Sequence, residues 1–244
     1  MSKRLFLIVG ILVSASCSSL FASIEDYFPH KTLSSPSNYG NTGLLEIPNA
    51  RFMEQASLRF SFSSSFPHEF TSLTATPFSW LEATYRYAEV KNATYGPFAY
   101  SGNQSLKDKG FDLKVKLLNE RYYSPDVAIG LRDFAGTGGF ASEYMVATKS
   151  FGDFDITAGI GWGILGSDGS IGNPFNSLDD SFKERTGNTV GGGGDISYSD
   201  WFSGPAAVFG GVEYNLRKYG LKLIAEYDSS DPQMNPTNPM IVKS

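Results

Sequence analysis

Apolar and polar side chains alternate with a period of two through most of the chain beyond residue 55. In FDITAGIGWGI, residues 154–164, Phe154, Ile156, Ala158, Ile160, Trp162 and Ile164 share one face, and Asp155, Thr157, Gly159, Gly161 and Gly163 share the other. Phe111, Leu113, Val115 and Leu117 oppose Asp112, Lys114 and Lys116 in the same way. So do Leu81, Ala83, Tyr85 and Tyr87 against Trp80, Glu82, Thr84 and Arg86, and Tyr219, Leu221, Leu223, Ala225 and Tyr227 against Gly220, Lys222, Ile224 and Glu226. Successive side chains of a strand point to opposite faces, so this spacing predicts β-structure. Nine strands are predicted, at roughly 56–65, 69–76, 79–88, 110–118, 124–132, 140–150, 154–164, 205–215 and 219–228. The fold class is all-β, an antiparallel up-and-down meander. Residues 23–55 are an irregular segment rich in Ser, Asn, Pro and Gly, residues 56–228 the β-domain and residues 229–244 a polar Pro-rich tail.

Several predicted strands approach the ~9–11 residues a tilted strand needs to cross a bilayer. Aromatic residues recur near their ends: Phe62, Trp80, Tyr87, Trp162, Tyr214, Tyr219 and Tyr227. An outer-membrane barrel carries aromatic girdles of this kind, but an ordinary sandwich alternates equally well. Connection lengths help to decide. Most are short, whereas residues 89–109 and 165–204 form long ones. Both follow odd-numbered strands and so fall on one side of a meander, as the extracellular loops of a barrel do. An odd strand count, however, does not close a single-chain bacterial barrel. An incomplete barrel is therefore expected. In it, Arg59, Glu82, Arg86, Lys114, Lys116, Arg132, Glu143, Lys222 and Glu226 are the expected lumen-facing polar residues. Their mixed signs suit either a hydrated passage or an internal salt-bridge lattice.

Composition narrows the class. The 244 residues carry a formal net charge of -5, which speaks against a nucleic-acid partner. One Cys and two His build neither a disulfide framework nor a Cys/His zinc site. Lys3 and Arg4 precede the apolar run Leu5–Ala15, the pattern of a signal peptide, with cleavage expected after Ala22. Cys17 sits just past that run, where a lipoprotein signal places the residue to be acylated. Ser14 stands where such signals prefer Leu, and an incidental Cys lost with the signal is the other reading.

No catalytic constellation emerges. Gly191–Gly194 is followed by DISYSDW rather than by Lys-Ser or Lys-Thr opening a helix, so a phosphate loop is not indicated. Asp153 and Asp155, or Asp179 and Asp180, are not placed across a sugar as glycoside hydrolysis requires. His30 and His68 lie in polar, Pro-flanked stretches and are expected in exposed loops. In GLRDFAGTGGFASEY, residues 130–144, a hairpin turn is expected between the fifth and sixth strands.

The strings GNTGLLEIPNAR (40–51), TPFSWLEATYRY (76–87), DLKVKLL (112–118), PDVAIGLRDFAGTGGFASEYMVATKSFGDFDITAGIGWG (125–163) and AEYD (225–228) resemble the YjbH family. That resemblance implies an outer-membrane, barrel-forming lipoprotein associated with exopolysaccharide production. Family members are typically longer, so this chain is similar to their N-terminal portion. It implies no catalytic residue and no cofactor. The expectation is a passive outer-membrane protein, not an enzyme, assisting exopolysaccharide secretion or capsule assembly. Its expected partners are the membrane, the exopolysaccharide and other secretion proteins. The alternative is a soluble periplasmic β-sandwich that binds polysaccharide or a partner protein.

Overall fold

Alternating segments that follow one another through short turns pair with their neighbours, and the resulting sheet is antiparallel throughout. The structure, a computed structural model, describes residues 8–13 (backbone only), 34–136, 138–185, 196 and 198–230. The strands are β1 (Ile8–Val13), β2 (Ser57–Ser65), β3 (His68–Phe78), β4 (Leu81–Thr94), β5 (Ser105–Leu118), β6 (Asp126–Arg132), β7 (Ser142–Phe151), β8 (Phe154–Trp162), β9 (Ala206–Leu216) and β10 (Leu221–Tyr227). The nine strands β2–β10 form a meander curved into a half-barrel, and β1 lies along the outer edge of β10. β2 has no partner on its far side among the described residues. Among the described residues no helix is long and apolar enough to cross a membrane.

The nine predicted strands correspond to β2–β10, with ends moved by a few residues. One connection is corrected. Residues 89–109 are mostly strand, because β4 runs on to Thr94 and β5 starts at Ser105. The extension is supported from inside: Val90 and Ala93 are buried with Phe70 and Phe140, and Leu106 packs against them. Only residues 95–104 remain as the hairpin tip, built around the single turn α1 (Phe98–Ser101). The connections after β2, β4, β6 and β8 share one end of the sheet, called the loop end below; those after β3, β5, β7 and β9 share the turn end. A two-sheet sandwich is overturned, since all described strands join one sheet.

The concave face is filled by the N-terminal segment. Residues 34–56 contain no strand or helix, only the isolated bridges Pro36–Thr42 and Gly43–Pro48. Leu44, Ile47, Ala50 and Phe52 of this strap are buried against Ala128, Tyr144, Val146, Phe209 and Ile224 of the sheet. Glycine makes room for the facing aromatics. A Cβ at Gly130 would lie 2.3 Å from the Tyr144 ring, and one at Gly159 would lie 2.3 Å from that of Phe209. Cys17, His30, Gly191–Gly194 and most of the Pro-rich tail lie outside the described residues. So does the expected signal peptide, apart from Ile8–Val13.

Candidate functional site

The sheet is inside-out relative to a water-soluble one. Its concave face buries Ser72, Thr74 and Thr76 of β3, Glu82, Thr84 and Arg86 of β4, Asp112 and Lys114 of β5, and Arg132 of β6. Thr148 of β7, Asp155 and Thr157 of β8, Glu213 of β9 and Glu226 of β10 continue the same face. The alternate residues point outward and are mostly apolar. Leu58 and Phe60 are 68% and 71% exposed, and Leu73, Tyr85, Phe111, Met145, Ile156 and Val208 carry the surface across the sheet. Soluble monomers rarely expose a contiguous apolar patch beyond a few hundred Å². Burying charge inside while leaving aliphatic and aromatic side chains outside is stable when the outside faces lipid.

Aromatic residues cluster at the turn end of this outer face. Phe78 and Trp80 stack at 5.6 Å, and Phe154 and Tyr214 at 4.5 Å. Tyr122, Tyr123, Phe151 and Tyr219 are exposed beside them. At the loop end the connection between β8 and β9 folds back over the outer face. Trp162 stacks on Phe175 at 5.4 Å and meets Phe202 edge-on at 5.2 Å. The Asn173 side-chain amide donates to the carbonyls of Phe182, Phe202 and Gly204, which ties the two described ends of the loop together.

Inside, strap and sheet form one lattice of charge-assisted hydrogen bonds. Glu82 accepts from the Thr42 backbone N–H at 2.8 Å and from the Thr42 hydroxyl. Lys114 pairs with Glu82 at 3.1 Å and donates to the carbonyls of Thr42 and Arg51 at 3.0 and 2.8 Å. Glu226 accepts from the N–H groups of Leu45 and Glu46 at 2.9 and 2.8 Å. Arg51 joins Glu120, Asp126 and Asp155 at 2.5, 2.7 and 2.9 Å. Arg86 pairs with Asp112 at 3.1 Å, its guanidinium lying over the rings of both Tyr39 and Phe140.

Each expected lumen residue can now be placed. Arg59 donates to the Gly40 carbonyl at 3.0 Å, and Arg132 to that of Glu46 at 2.7 Å. Lys116 lies 3.6 Å from Asp126. Lys222 pairs with Glu213 at 2.7 Å and donates to the Ser35 hydroxyl at 2.7 Å. With Glu82, Arg86, Lys114 and Glu226, these side chains are on the concave face and bonded to strap or sheet. Glu143 is different. It is paired in register with Leu131, an outward residue, so it belongs to the outer face. There it is covered by the β8–β9 loop, whose Arg185 holds it with two bonds of 2.7 and 2.8 Å. His68 is also corrected: it opens β3 and stacks on Phe70 at 5.8 Å rather than lying in a loop.

The strap partners Arg51 and Glu120 escaped the sequence reading, because neither sits on an alternating strand. The signal available was the cluster Leu44, Leu45 and Ile47 inside a polar stretch, which marks a segment with something to bury. The carboxylates weighed for chemistry have structural partners. Asp153 pairs with Arg217 at 3.0 Å, and Asp179 accepts from the Ser181 N–H at 2.8 Å.

Glu120 and Asp133 are shifted groups in connections. Burial alone would raise the Glu120 carboxyl, but Lys149, the Ser150 N–H and Arg51 outweigh it and hold it below the usual range. Asp133 begins the turn after β6 with φ of 51° and accepts from the Phe140 N–H at 2.9 Å. Burial pushes its carboxyl up to about 7; Arg86 and the Phe140 bond oppose the rise, while Asp108 and Asp112 add to it.

Comparison with known proteins completes the picture. The sequence profile of the YjbH family, described as "Exopolysaccharide biosynthesis protein YbjH", matches residues 35–244. A curated relative from Escherichia coli (strain K12), "Uncharacterized lipoprotein YjbH", is 38% identical over 237 residues. The match covers 96% of this chain and 33% of the relative, so the chain spans about a third of the relative's length. No solved structure matches.

Proposed function

This chain belongs to the YjbH family, and from that premise we propose that it is an outer-membrane component that assists exopolysaccharide secretion or capsule assembly without catalysis. One observation carries the reading: the sheet exposes an apolar face bordered by aromatic residues and buries its charges on the concave side. The family's description supplies the polymer. The concave face is occupied by the strap, so its charges are spent on the lattice rather than on an open passage. The contribution to export is then mechanical: the half-barrel anchors a set of loops at the membrane surface and offers them to the polymer or to other secretion proteins. Density-gradient fractionation tests the placement. The protein should travel with outer-membrane markers, and recovery only in the soluble periplasm would sink the reading. Deleting the gene in a polymer-producing host should lower surface polysaccharide while synthesis continues.

A further inference from the structure

Lipid does not account for one group of exposed rings. The tip of the β4–β5 hairpin exposes Tyr95 by 50%, Phe98 by 74% and Tyr100 by 84%. Between this tip and the apolar outer face lies a charged belt. Tyr85 and Phe111 face each other in the apolar zone, 5.2 Å apart. One outward step along the strands Tyr87 faces Lys109, and one further Glu89 faces Lys107. Lys91 pairs with Glu69 across the neighbouring strand. At about 3.4 Å per residue, Tyr95 lies up to about 20 Å along the strand beyond Glu89. The rings therefore stand on the far side of the belt, away from the surface that would meet hydrocarbon.

The tip also differs in chemistry from the charged belt beneath it. Residues 92–105, NATYGPFAYSGNQS, hold no Asp, Glu, Lys or Arg, in a protein where charged residues make up 18%. What remains is aromatic rings, amides and hydroxyls. The backbone that carries them is fixed. Tyr95 N–H donates to the Gln104 carbonyl at 2.9 Å, Gly102 N–H to the Phe98 carbonyl at 2.8 Å, and the Ser101 hydroxyl to the Gly96 carbonyl at 3.0 Å. Among the described residues no other aromatic ring stacks on Tyr95, Phe98 or Tyr100.

We propose that this hairpin tip is a docking platform for an uncharged stretch of polysaccharide. Sugar rings present C–H faces that pack on aromatic rings, and hydroxyls that bond amides and hydroxyls. A neutral aromatic surface suits them, whereas an acidic or basic polymer would find no counter-charge on the tip. A fixed loop also loses little freedom on binding. The platform rests on the export reading, to which it adds a place of contact and a class of ligand.

Affinity electrophoresis of the detergent-solubilised full chain tests it, with dextran, mannan or galactan cast in the gel and alginate as the charged comparison. The wild type should be retarded by at least one neutral polymer. Replacing the rings together (Tyr95→Ala, Phe98→Ala, Tyr100→Ala) should weaken that retardation about tenfold or more, as removing aromatic anchors does. Phe98→Trp with Tyr100→Trp should keep it. These side chains are exposed, so the variants should fold, and a heat-dependent shift in gel mobility checks that. No retardation of the wild type by any neutral polymer, or equal retardation of the alanine variant, would overturn the platform. The export reading fails separately, through fractionation into the soluble periplasm. If the protein is in the outer membrane and needed for export, yet the alanine variant binds and exports like wild type, the platform alone is wrong.

Discussion

Arg51 meets three carboxylates, and its side chain is 12% exposed. Removing it leaves Glu120, Asp126 and Asp155 facing one another without their shared cation. Arg51→Ala should therefore cost about 3–5 kcal/mol, the scale for breaking a buried pair from one side. Arg51→Lys should recover only part, because an ammonium cannot span the same fork. Thermal unfolding in detergent measures both, and an alanine variant as stable as wild type would contradict the pinning role. Glu226 is the other anchor. Glu226→Ala strips the acceptor from the Leu45 and Glu46 N–H groups, at about 1–3 kcal/mol, and should open the strap to protease before the sheet is cut. Asp133 gives a pH dependence. Its folded-state pKa is raised from 3.8 to about 7. The folded chain thus holds a proton that the unfolded chain has already released. The stabilisation is fullest below about pH 4 and is lost as pH rises through about 7. The melting temperature should fall between pH 5 and pH 8, and Asp133→Asn should reduce that fall. An identical pH profile in the variant would remove Asp133 as its source.

At the scale of hairpins and strands, space decides as much as polarity. Tyr144 reaches over Gly130 on the neighbouring strand, so Gly130→Ala must move the ring or the backbone. The expected cost is about 1–3 kcal/mol, read as a lower unfolding midpoint, and an unchanged midpoint would mean the ring moves freely. Strand positions were legible because period-two alternation is a local property, and Phe154–Ile160 shows both faces at a glance. Glu143 was misassigned because polarity alone was used to choose its face. It is a charged residue on the apolar side, tolerated there because a distant loop brings Arg185 to it. The residues that tie the strap in place were legible only in part for the same reason. Glu82 and Lys114 announce themselves on strands, but nothing near Arg51 in sequence tells where its three carboxylates are. The β4–β5 extension was missed because Lys91, Asn92 and Thr94 look like loop, while Val90 and Ala93 are buried with Phe70 and Phe140, which lie in other parts of the chain.

For the molecule as a whole, the edge of β2, unpaired among the described residues, is a row of backbone donors and acceptors open to another strand. The chain alone, solubilised in mild detergent, should self-associate as its concentration rises. Light scattering coupled to size exclusion would show this, and a monomer at all concentrations would contradict it. The strap has a different consequence, one of timing. Ser35 bonds a lysine 187 residues away, and the Glu226 anchor meets Leu45 across 181. Contacts of such high order form late, since the intervening chain must first be arranged. The first described part of the strap to leave the ribosome is thus among the last to find its place. Until β10 arrives, the interior carboxylates and cations are only partly matched. The sheet and its filling must then be completed together, and a chain stalled before that step would present an apolar exterior and an unfinished polar interior at once.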